Sequence, residues 1–159
     1  MSESLSSNQV GLALMGAGLS PFTLDTDLFQ IVWNGENYLV HTDHLPEIYI
    51  QKDVPLYCFE YKSKNWIIYF AMDRVNLRRT PVVAFRGYAE DVVSFRICLQ
   101  PESTDSIRND IDSYFAQIER SIDAFGQACE IAVREDEEGS MIDSCDDSAN
   151  SEANIVSTN

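Results

Sequence analysis

The strongest constraint in this chain is a run of apolar residues at spacings of three and four: Ile107, Ile111, Tyr114, Phe115, Ile118, Ile122, Phe125, Cys129 and Ala132. That spacing lines one face of an α-helix and persists for about seven turns at 3.6 residues each. The helix should begin at Ser103 or Thr104 and run to about Val133. Asp105 and Asp110 then sit near its positive dipole end. A stripe this long has to be buried against a broad apolar surface, which the rest of the chain must supply.

The patterns upstream read mostly as strands. Phe29, Ile31 and Trp33 alternate with Gln30, Val32 and Asn34, and Asn34-Gly35 is a strong two-residue hairpin signal. Tyr38 to Thr42 returns as the partner strand, and Pro46 breaks it. Ile48 to Gln51 begins a third strand, while Val54 to Tyr61 reads as a fourth strand or as an irregular edge begun at Pro55. Val82 to Arg86 and Val92 to Leu99 form a second hairpin about Gly87–Asp91, ended by Pro101. Residues 8–18 suggest a short helix capped by Ser6 or Ser7, with Val10, Leu14 and Ala17 on one face. Gly11 and Gly16 weaken that helix, so packing must hold it. Gly18 and Pro21 are its stop signal.

One window is ambiguous. Trp66 to Met72 is uncharged throughout, so it fits a strand covered on both faces or a helix. The helical reading is preferred. It puts Trp66, Tyr69, Phe70, Asp73 and Leu77 on one stripe, widened by Ile67 and Val75, with Arg74 and Arg78 on the other side and Ser63 as N-cap. The resulting fold class is α+β: an antiparallel twisted sheet of about five strands, three plus two, with helices packed on it in the order α-βββ-α-ββ-α. Residues 1–134 form a single domain, and residues 135–159 an acidic disordered tail.

Charge narrows the function. The formal net charge is −15, and eight of the 26 acids lie in residues 135–159, which hold no Lys or Arg. Residues 1–134 therefore carry 18 acids against all 11 bases, a formal −7. Nucleic acid is disfavoured as a partner, since phosphate binding needs a basic face. No apolar run approaches the roughly 20 residues of a membrane span, and Met-Ser-Glu-Ser has no basic leader, so a cytoplasmic location is expected. Cys58, Cys98, Cys129 and Cys145 are scattered, and three of them read as buried thiols in a reducing compartment.

No pattern demands chemistry. His41 and His44 in "HTDH" would point to opposite faces of a strand, with no third metal ligand nearby in sequence. "GLALMGAG" lacks the Lys-Ser/Thr of a phosphate loop and reads as a close-packing helix face. "DSCDD", Asp143 to Asp147, lacks the spacing of a calcium loop. No catalytic residue, metal or cofactor is expected. One charge feature stands apart: Lys62, Lys64, Arg74, Arg78 and Arg79 lie within 18 residues that hold a single acid, Asp73. This patch reads as solvated helix ends, or as a receptor for an acidic segment from a partner or from the chain's own tail.

The order of elements from Val10 to Val133 resembles the YbjN-like family and the wider type III secretion chaperone-like fold. The resemblance rests on "GLSP" closing the first helix, "FQIVWNGENYLVHTD", "IYIQKDVPL", "IIYFAMDRVN", "PVVAFRGYAEDVVSFRICL" and "DIDSYFAQIERSIDAFGQAC". The middle helix departs from the family in its large aromatics. The resemblance implies a non-enzymatic protein that binds a protein partner or extended peptide, with homodimerisation open, acting as a secretion chaperone or a regulator. The binding residues expected from this sequence are Trp33, Trp66, Tyr69, Arg74, Arg78 and Arg79. The alternative is a small-molecule binder or enzyme with a pocket between the sheet and the C-terminal helix.

Overall fold

In a computed structural model, residues 4–59, 64–87, 89 and 91–156 are described, with side chains to residue 139. The fold is α+β. Six strands form one open antiparallel sheet: β1 (Phe22–Asp25), β2 (Leu28–Trp33), β3 (Glu36–His44), β4 (Glu47–Pro55), β5 (Val82–Arg86) and β6 (Val92–Leu99). Their spatial order is β1-β2-β3-β4-β6-β5. Three helices accompany it: α1 (Ser7–Gly16), α2 (Asn65–Asn76) and α3 (Thr104–Val156).

Local chemistry accounts for most boundaries. The Ser6 hydroxyl accepts from the Gln9 N–H while the Gln9 side chain accepts from the Ser6 N–H, a reciprocal cap that starts α1. Gly18, at φ +84°, ends it by letting the Leu19 N–H reach back to the Leu14 carbonyl. Asn34 and Gly35 both have positive φ, 50° and 80°, as the tight turn between β2 and β3 requires. Ser103 and Ser106 exchange backbone-to-hydroxyl bonds at the start of α3.

Strand alternation sends one set of side chains under the helices. Phe29, Ile31, Tyr38, Val40, Ile48, Ile50, Val54, Val93, Phe95, Ile97 and Leu99 are buried there. They meet Ile107, Ile111, Phe115, Ile118, Phe125, Ala128, Cys129 and Ala132 of α3. Gly11 of α1 sits so close to Phe29 that a Cβ there would lie 3.3 Å from its ring. The small-residue face of "GLALMGAG" therefore serves packing.

Several expectations need correction. The sheet has six strands, not five. β1 follows the α1 stop signal and is only four residues long, with all four side chains exposed. The third and fourth strands merge: β4 runs unbroken from Glu47 to Pro55, and Leu56–Cys58 is a short 3-10 turn. The helical backbone of α3 continues past Val133 to Val156, although Ala132 is the last core residue among the described side chains. Of the cysteines, Cys129 is buried, and burial pushes its thiol up to about 11. Cys58 and Cys98 are exposed, because one lies in the 3-10 turn and the other on the uncovered face of β6. Cys145 and Ser63 fall outside the described side chains.

The β5 edge is closed by α2. The Asn76 side chain donates to the Ala84 carbonyl at 2.9 Å and accepts from the Ala84 N–H at 2.8 Å, as a neighbouring strand would. Asn76→Ala should lower the unfolding free energy by about 1–2 kcal/mol. Urea titration would show a lower midpoint, and an unchanged midpoint would refute the role.

Candidate functional site

The sequence places six binding candidates, and the structure puts five of them on α2 or just past its end. α2 is a helix, as expected, but it faces the other way. Its buried side is Ile67, Ile68, Ala71 and Val75. The stripe of Trp66, Tyr69, Asp73 and Leu77 points out, with Trp66 47 %, Tyr69 53 % and Leu77 80 % exposed. Phe70 is half-buried beneath the Arg74 guanidinium, 5.2 Å from its ring centre. The sixth candidate, Trp33, joins the core rim. Its ring packs 5.4 Å from Phe115, and its Nε1–H donates to Asp112 at 3.1 Å.

α2 and α3 run antiparallel. Lys64, before α2, pairs with Asp136 at 2.8 Å, while the far end of α2 lies beside the middle of α3. A groove of about 350 Å³ opens there between Val75 and Leu77 on one side and Ala124, Ala128 and Ile131 on the other, with Arg74 and Arg78 at its rim. A second hollow of about 330 Å³ shares Arg78 and adds Arg79 and Arg120. Of the basic residues expected to form one patch, Lys62 lies outside the described residues, and the others divide into two groups. Lys64 is satisfied by Asp136, whereas Arg74, Arg78 and Arg79 gather at the other end with Arg120, which the sequence reading did not include. Arg120 was hidden on the polar side of the α3 periodicity. On a continuous α3, the residues after Asp136 lead away from this arginine cluster.

The uncovered sheet face is a different kind of surface. Arg96 lies between the rings of Tyr49 and Phe85, 5.1 and 5.0 Å from their centres, and donates twice to Gln51 Oε1. Gln51 and Ser94 both donate to Asp53 Oδ1, at 2.7 and 2.6 Å. These polar groups satisfy one another. Exposed apolar residues on this face stand toward its ends, at Phe22, Leu24 and Val32 on one side and Val83 on the other.

A third cluster lies under the helices. Lys52 is nearly buried, and its Nζ meets Glu119 at 2.6 Å and Glu36 at 3.1 Å. The Tyr38 hydroxyl also donates to Glu119, and burial together with that carboxylate raises the Tyr38 pKa above the usual phenol value. Every charge here has a partner, and the surrounding space is filled by Tyr38, Phe95, Phe115 and Phe125. This packing gives no support to a ligand pocket between the sheet and α3.

His41 and His44 share no partner. A register shift separates them, His44 is exposed beside Asp43, and His41 is half-buried with its Nε2 unpartnered. Among the described residues, no group of three or more His, Cys, Asp or Glu could hold a metal ion. Asp143–Asp147 lie outside the described side chains. Among the described residues, no helix is long and apolar enough to cross a membrane. Comparison with family models, curated proteins and solved structures found no match to this chain.

Partial burial, followed by the charge of Arg96, lowers the His41 pKa, with Asp43 and Asp53 pulling weakly the other way. A histidine held neutral in the fold binds its proton more readily when unfolded, so the unfolded state gains protons first. Stability should therefore hold above the unfolded value of about 6.5 and fall as the pH drops below it. His41→Gln should flatten that fall between about pH 7 and 5. Equal slopes for variant and parent in thermal melts would contradict this.

Proposed function

We propose that this chain is a non-enzymatic binding module for a protein partner, chaperone-like or regulatory in kind, that works in the cytoplasm and docks its partner on the outer face of α2. One observation carries the reading: α2 is apolar on both sides, and Trp66, Tyr69 and Leu77 stand in solvent although the inner face already anchors the helix. Aromatic residues held out on a rigid helix are favourable contact anchors, since they bury much area for little lost freedom. The resemblance to YbjN-like and type III secretion chaperone-like proteins supports the same reading, with its implied habit of binding proteins.

The sheet edges disfavour strand addition as the mode of docking. β5 is bridged by Asn76. β1 is four residues long, has a register shift between Thr23 and Asp25, and carries Asp25 itself, all features that discourage pairing. Side-chain contact on α2 is the mode these surfaces favour.

The test is affinity capture from the native host with the parent chain and with Trp66→Ala/Tyr69→Ala. The parent should recover a stoichiometric partner and the variant should lose it, while the two melt within a few degrees of each other, as exposed substitutions usually do. An unfolded secretion substrate would identify a chaperone, and a folded kinase or receptor a regulator. Equal recovery by both chains would defeat the reading.

A further inference from the structure

We infer that the groove between the end of α2 and the middle of α3 receives an acidic amphipathic segment of the partner, with its apolar side inward and its carboxylates on the arginines. This rests on the binding-module reading and names the chemistry of the partner. The floor is apolar and low, because Ala124 and Ala128 place only methyl groups there, while Leu77 and Ile131 stand exposed at its sides. A flat floor with taller apolar flanks suits an amphipathic helix laid into a groove.

The rim decides the charge of the occupant. Arg74, Arg78, Arg79 and Arg120 surround the two adjoining hollows. Among the described residues, none of the four is in an ion pair. The chain has only 11 bases against 26 acids, so four guanidinium groups in one place, without an ion pair among the described residues, form a local reversal of its field. Such a reversal draws in a segment that the rest of the surface repels. Arginine also matches carboxylates geometrically, with donors arranged as a fork. A nucleic acid would meet the same four arginines but would face a formal charge of −15 around them and an apolar floor that offers its phosphates nothing. The acids of the chain's own C-terminal stretch are poorly placed: Asp136 is engaged by Lys64 at the opposite end of α2, and α3 leads away from the groove beyond it.

The direct experiment titrates the full chain with a designed Leu/Glu amphipathic peptide of about five helical turns, and with its counterpart carrying Lys for Glu, while amide shifts are followed. The acidic peptide should perturb Leu77, Ala124, Ala128 and Ile131 and weaken as salt is added. Arg78→Glu/Arg79→Glu should reduce its affinity roughly tenfold or more, as reversal of paired rim charges does. Equal binding of the lysine peptide, or indifference to the charge reversal, would overturn the inference. So would self-association of the chain that perturbs the same residues, which would make a second copy the occupant. A second arm keeps the two claims separable by using the captured native partner. If Trp66→Ala/Tyr69→Ala abolishes its binding and Arg78→Glu/Arg79→Glu does not, the acidic-segment inference falls and the binding module stands. If neither variant weakens it, both fall.

Discussion

The structure depends on the contact between α3 and the centre of the sheet. Phe115 packs against Tyr38 with ring centres 4.5 Å apart, and Phe125 packs against Phe95 at 5.6 Å. Between these two aromatic contacts lies Glu119, one turn on from Phe115, bound to both Lys52 and the Tyr38 hydroxyl. The apolar rings supply most of the attraction, and the ion pair selects one register of the helix on the sheet. A slip of α3 would take Glu119 away from both Lys52 and the Tyr38 hydroxyl and leave the nearly buried Lys52 with Glu36 alone, which is largely in water. The position of α3 then sets the position of α2, since α2 packs along α3. The groove is thus a consequence of where Glu119 is held.

Much of this was legible in the sequence because certain local signals admit a single structure. Asn34-Gly35 allows little but a tight turn, and the α3 stripe is too long and regular to be anything but a helix. The orientation of α2 was not legible, for a physical reason. Both its faces are apolar, so periodicity identifies a helix without saying which side is buried. The larger side chains, Trp66, Tyr69, Phe70 and Leu77, suggest themselves as core. The protein instead buries Ile67, Ile68, Ala71 and Val75, where small Ala71 permits close approach. Lys52 was invisible as an interior residue because its burial depends on Glu119, 67 positions away. β1 was missed because its pairing is a backbone matter, while its side chains face solvent.

The misassigned face is also the informative one. Buried apolar residues explain themselves, whereas exposed ones on a helix that is already anchored call for a further reason. Aromatic character marks Trp66 and Tyr69 in the sequence as binding candidates, with burial as the alternative. The geometry instead holds them half in water, in line with Leu77 and the arginine groove. Trp33, chosen on the same grounds, went the other way because Asp112 offers its indole N–H a partner against α3.

The remaining surfaces sharpen that contrast. On the uncovered sheet face, Arg96 is held by Tyr49, Phe85 and Gln51, and Asp53 accepts from Gln51 and Ser94, so the polar centre makes its own contacts. One sheet edge is bridged by Asn76, and the other is short and irregular. Around α2 the opposite holds: Trp66, Tyr69 and Leu77 stand uncovered, and at the helix's far end lie arginines without an ion pair among the described residues. Hydration of such a surface is a standing free-energy deficit that association relieves, by removing apolar area from water and by pairing charge in the same step. A chain whose sheet centre makes its own polar contacts, and which leaves these groups unmet, concentrates its capacity for binding on the outer side of one helix.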